Sequence, residues 1–276
     1  MKNQQKLFSK FTENMGKQFL IFSTTSLIAI HSLIFIYSYS VGIPWADDWS
    51  SIFSAVYYLQ NDPVWIYGIV QNDNEHLLIF YRAIMIAGLL FNSFNTQQFL
   101  YLNWGILLIG IWIFYKILKK TDERLTWLII PISALAFSPK MVWIFLVASH
   151  GLTWIPTFVF IVSIVGIFWR EKITNKWFAL GIFLSIIASL TTILGLLTWI
   201  IGTICLFQKN ENTRKYLLTW ILISIIIFSA IIFVVKYDPE TTGRQPLSEL
   251  LRPAVFFWGL EYISNPYAIG IGPSFS

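Results

Sequence analysis

The run FLIFSTTSLIAIHSLIFIYSYSV, residues Phe19 to Val41, decides the fold class. It exceeds the roughly 20 apolar residues that a helix needs to cross a bilayer. Lys2, Lys6, Lys10 and Lys17 precede it. A secretory signal has a shorter apolar core that ends in a small-residue cleavage site, so this run reads as a retained anchor with its amino end in the cytoplasm. Within it, His31 is an ionisable group at membrane depth. Beside Ser32, its neutral imidazole reads as a hydrogen-bonding residue inside a helix bundle.

The rest of the chain supports the same class. Hydrophobic residues make up 56% of it and charged residues 12%, with a mean hydropathy of +0.66, values that belong to multi-pass membrane proteins rather than soluble domains. The net charge of +5 suggests nucleic acid as a partner only if the cations cluster on a polar surface. Here they fall between apolar runs, so loop topology accounts for them. A single cysteine, Cys205, excludes a disulfide framework and a cysteine-based metal centre. No internal repeat or low-complexity linker is visible, and residues 1–276 read as one transmembrane module. No Walker loop, GxGxxG, HExxH or serine elbow is present.

Charge sets the order of crossings. Residues 1–18 read as cytoplasmic. Pro44 to His76 holds Asp47, Asp48, Asp62, Asp73 and Glu75 without any Lys or Arg, and reads as exterior. The next basic cluster is Lys116, Lys119, Lys120 and Arg124, so an odd number of spans separates the two. Leu77 to Phe91 is short for a span and carries Arg82; it is expected to be a helix in the outer interface. Leu100 to Leu118 is then the second span, and residues 44–99 form the first exterior loop. Even parity makes Leu125 to Trp169 a hairpin of two spans. Trp177 to Phe207 is a second hairpin, turning near Thr191-Thr192 or Gly195. Tyr216 to Val235 crosses outward. The expectation is an all-α protein with about seven transmembrane helices and an exterior segment over residues 236–276. That segment begins a further apolar element at Ala254 and breaks off in Gly270-Ile271-Gly272-Pro273, as a chain cut short would.

Chemistry is expected where acids sit beside a span. Asp47 and Asp48 follow the first span closely and are flanked by Trp45 and Trp49, residue types that anchor at the interface. They read as solvated loop acids, as a general base acting on a hydroxyl or amine, or as ligands of a divalent cation; the last needs further oxygens and is not favoured. Glu75 and His76 close the acidic loop. Arg82 either pairs with a phosphate or snorkels to the headgroups. Lys140 and His150 flank the outer end of the first hairpin, near Trp143 and Trp154. Lys236, Arg244 and Arg252 lie in the last exterior segment, and with Lys140, His150 and Arg82 they are candidates for anion binding.

The order of basic amino terminus, span, Asp47-Asp48, His76 opening an interfacial helix with Arg82, Ser138-Pro139, and Gly195-Leu196-Leu197-Thr198-Trp199 resembles the GT-C superfamily of polyprenyl-phosphate-sugar glycosyltransferases. The branch it resembles is that of protein O-mannosyltransferases and aminoarabinose transferases. The family's His-Pro-Pro stands here as His76-Leu77-Leu78, and the chain is short for the family. The resemblance implies an inverting transfer at the exterior face of the plasma membrane, from a lipid-phosphate-linked sugar to a glycan, lipid or protein acceptor. It implies no cofactor. Asp47 matches the catalytic base and Asp48 the second acid; His76 and Arg82 match positions near the phosphate. Two other classes fit the composition: a lipid or polysaccharide transporter or flippase, and a noncatalytic membrane subunit.

Overall fold

A computed structural model describes residues 2–44, 48–49, 53, 56–57, 78–92, 95–209 and 213–234. All regular structure among these residues is helical. The helices are α1 (Lys2–Tyr39), α2 (Ile79–Asn92), α3 (Thr96–Thr121), α4 (Ile129–Ala136), α5 (Val142–Leu146), α6 (Ala148–Phe168), α7 (Asn175–Ser189), α8 (Leu197–Phe207) and α9 (Arg214–Val234). Tight 3₁₀ turns at Glu123–Leu128 and Ile193–Leu196 lead into α4 and α8. Residues 236–276 lie outside the described residues, as do the exterior segment and Arg244 placed on them.

Four helices are long and apolar enough to cross a membrane: Met15–Tyr39, Thr96–Thr121, Ala148–Phe168 and Arg214–Ile231. Their apolar side chains face outward as well as inward. On α1, Phe19, Phe22, Leu27, Ile30, Ile34 and Tyr37 are exposed, while Ile21, Ala29, Ser32 and Ile36 form the buried stripe. That is the arrangement expected where hydrocarbon replaces water as the outer medium.

Helix direction alternates between two ends of the bundle. At one end, Lys17 donates to the Glu123 carbonyl at 3.1 Å, Lys209 donates to the Arg170 carbonyl at 2.6 Å, and Tyr216 donates to Asn175 at 2.6 Å. At the other, the Thr96 hydroxyl reaches the Val41 and Ile43 carbonyls, both at 3.0 Å, and Gln97 reaches Ser40. Asn95 caps α3 by accepting from the Gln97 amide, and Lys119 and Lys120 occupy its last turn, where cations suit the helix dipole.

Two short pieces replace the expected first arm of the Leu125 to Trp169 hairpin. After Arg124 pairs with Asp122 at 2.9 Å, the chain runs through a 3₁₀ turn into the eight-residue α4, with Pro131 in its first turn. A proline is tolerated there because the first amides have no intrahelical partner. The Trp177 to Phe207 hairpin has its corner at Leu190–Thr192 and continues through the 3₁₀ turn at Gly195. A Cβ at residue 195 would fall on the Ala188 carbonyl, so glycine permits this turn to press against the end of α7. α7 has 15 residues, about 22 Å of helix.

The centre of the bundle is α6. Gly110 of α3 lies against Val159 and Phe158, and Gly151 of α6 against Asn103 and the Ile144 carbonyl, so α3 and α6 approach closely through small residues. A second core joins α6 to α9 through aromatic rings. Trp199 and Trp220 are 4.7 Å apart, and Phe168 meets Trp220 edge-on at 4.9 Å. Both indoles are satisfied: Trp220 donates to the Trp199 carbonyl and Trp199 to the Ser189 hydroxyl, each at 2.9 Å.

The reading of His31 as a bundle residue is corrected. His31 is exposed on α1, and its neighbour Ser32 is buried. Ser32 donates to the Ala29 carbonyl and accepts from the Trp104 indole, which also reaches Ala29.

Candidate functional site

The amino end of α6 gathers the polar groups. Its cap residue Val147 has suitable extended geometry, φ −110° and ψ 113°, but no side-chain oxygen to accept from the first amides. Asp48 supplies the acceptor from a hundred residues upstream. Its carboxylate accepts from the Ser149 amide at 2.7 Å and from the Ala148 amide at 3.3 Å, and the side chain is only 1% exposed. A carboxylate on the first amides of a helix meets both the unsatisfied donors and the positive end of the dipole. Asp48 therefore pins the segment after α1 to the start of α6.

Other buried groups surround this contact. Asn103 of α3 donates to the Ala148 carbonyl at 3.4 Å, while its buried Oδ1 has no partner among the described residues. The Ser149 hydroxyl is likewise buried and unpaired. Below it, Thr153 donates to the Ser149 carbonyl and Thr157 to the Thr153 carbonyl, forming a hydroxyl row that meets Thr192 at 3.4 Å. A buried donor or acceptor without a partner costs about 1–3 kcal/mol, so these two oxygens near Asp48 have hydrogen-bonding capacity left for a water or a polar ligand.

The half-exposed ring of His150 sits one residue beyond Ser149, 6.0 Å from Trp143. Lys140 is exposed, in the turn where its amide donates to the Ser138 hydroxyl at 3.3 Å. Met141, Ile144 and Trp154 help line an apolar groove of about 350 Å³ that extends to Leu135 and Phe158. The structure thus brings Asp48 and His150 to one helix terminus. Arg82 is half-buried on α2. That helix starts where the Phe80 amide donates to the Leu190 carbonyl at 3.1 Å, and its Gly88 lies against Phe99 near the start of α3. Leu78, just before it, holds φ at 44°, a left-handed conformation that costs a non-glycine residue roughly 1–2 kcal/mol.

Asp47, Glu75 and His76 lie outside the described residues. Sequence reasoning missed Asn103 and Ser149. The available signals were an asparagine within a long apolar run and the four-residue spacing of Ser149, Thr153 and Thr157. Among the described residues, no group of three His, Cys, Asp or Glu could hold a metal ion. Comparison of the chain with protein-family models, with curated proteins and with solved structures gives no match.

Proposed function

We propose that the chain is a membrane glycosyltransferase that moves a sugar from a lipid-phosphate donor to an acceptor, with Asp47 as general base. The observation that carries this reading is the Asp48 contact: the covalent neighbour of Asp47 is fixed, buried, to a helix terminus lined with unpaired polar oxygens. A base works only when held within hydrogen-bond reach of the proton it removes. The apolar groove lined by Trp154 has a surface suited to a lipid tail.

In the proposed step, Asp47 takes the proton of the acceptor hydroxyl as its oxygen attacks the anomeric carbon. The bond from that carbon to the phosphate oxygen breaks, the electron pair leaves with the lipid phosphate, and the configuration inverts. Arg82, His150, Lys140, His76 and Arg244 are the candidate donors to the departing phosphate, and Glu75 a candidate sugar ligand. Asp48 serves as a positioning residue.

Seven alternately directed helical segments are proposed as seven crossings, with the cationic end in the cytoplasm. Three of them, α4, α7 and α8, are shorter than a bilayer core is thick. In a Cys205→Ser background, a cysteine replacing Lys140 is expected to react with an impermeant reagent from outside. One replacing Lys172 should react only after permeabilisation, and the reverse pattern overturns the orientation.

The decisive experiment is Asp47→Asn in purified full chain, assayed for sugar release from a polyprenyl-phosphate sugar. Loss of about 10²–10⁴ in rate with unchanged thermal unfolding is expected. A fully active variant refutes the assignment.

A further inference from the structure

A second groove lies at the opposite, cationic end. It has a volume of about 540 Å³, within the range of ligand-binding clefts, and runs between α3, α6 and α7. Its walls are apolar, from Ile113 and Ile117 on α3 to Leu180 and Leu184 on α7. Lys116, Lys120 and Arg170 are its charged lining residues, and no acid lines it. Two aromatic contacts hold cations beside the opening. The Arg170 guanidinium stacks on Trp177 at 3.5 Å, and the Lys116 ammonium lies 5.4 Å from the Trp112 ring centre. Ser163, the polar residue on the α6 wall, already donates to the Val159 carbonyl at 2.7 Å.

We infer that this groove binds one anionic phospholipid from the leaflet at the cationic end, its phosphate among Lys116, Lys120 and Arg170 and an acyl chain along α3 and α7. Charge complementarity selects the occupant. A zwitterionic headgroup gains little from three cations without an acid, whereas an anionic one gains from each. The carbonyl ends of α3 and α6 are also there, and their partial negative charge is offset by these side chains. A free phosphate would leave the apolar walls uncovered. The inference rests on the membrane character of the bundle and not on sugar transfer.

The test is native mass spectrometry of the full chain released from vesicles containing dioleoylphosphatidylglycerol and dioleoylphosphatidylcholine. Wild type is expected to retain one phosphatidylglycerol in preference to phosphatidylcholine. Lys116→Gln, Lys120→Gln and Arg170→Gln should each weaken retention roughly fivefold. Lys119→Gln with Lys172→Gln and Lys176→Gln, which removes three charges outside the groove, should change it by less than about twofold. Leu184→Trp narrows the apolar wall without altering charge and should also lower retention. Equal losses in the two charge sets would overturn the inference. So would equal retention of both lipids, displacement by glycerol 1-phosphate, or an undiminished Leu184→Trp.

Discussion

Replacing Asp48 by alanine removes an acceptor that the cap residue itself cannot supply, because Val147 carries only methyl groups at the cap position of α6. Two amides then lose their partner in a buried setting. The 2.7 Å bond to Ser149 is short and charge-assisted, and bonds of that kind contribute about 1.5–3 kcal/mol. The 3.3 Å bond to Ala148 is longer and adds less. Typical losses on removing a cap are about 0.5–2 kcal/mol, so the expected total is about 2–4 kcal/mol. Asp48→Asn keeps one oxygen but turns an amide nitrogen toward the second donor, and about half that loss is expected. Hydrogen exchange on the full chain in nanodiscs reads the effect locally. If the first turn of α6 opens by itself, the Ser149 amide should exchange roughly 30- to 700-fold faster in Asp48→Ala. Val147→Thr, close in shape to valine, places an oxygen at the cap and should recover part of the loss in the alanine background. Wild-type protection at Ser149 in Asp48→Ala, together with unchanged unfolding, would refute the capping argument.

Two further outcomes follow from the bundle itself. Gly195→Ala drives a methyl group into the Ala188 carbonyl and is expected to destabilise by about 2 kcal/mol or more, read as a lower unfolding midpoint; a neutral variant would show that the corner is looser than described. The side-chain hydrogen bond from Arg124 holds the Asp122 carboxyl below its ordinary range. Its contribution is complete above the ordinary carboxylate range and disappears as pH falls through the lowered folded value. The acid limb of unfolding should therefore be shallower in Asp122→Asn, and an identical limb would show that the pair adds nothing.

Helix order was legible because bilayer thickness and the placement of Lys and Arg are both written locally in the chain. The α2 helix around Arg82 and the corner at Thr191-Thr192 came from the same local signals. Which face of α1 turns inward was not legible. In lipid the outward face is apolar too, so periodicity gives little contrast, and the buried stripe is marked only by the small residues Ala29 and Ser32. The reading of His31 failed for that reason. The length of the arm before α5 was misread because its run of apolar residues hides Pro131 and a 3₁₀ start. At the candidate site, Asp48 was singled out from sequence, but its partners were not. A carboxylate meeting backbone amides leaves no side-chain pattern, and nothing in Ala148-Ser149 announces which distant acid it will take.

The Asp48 contact also has a consequence in time. Its two halves lie about a hundred residues apart, and synthesis adds roughly 5–20 residues per second, so the carboxylate emerges on the order of 5–20 s before its amides. During that interval Asp48 has been synthesised and the amides that it will meet have not. The Asp48 contact therefore cannot form until the start of α6 has been made, which makes the arrival of α6 the event that fixes this acid in place.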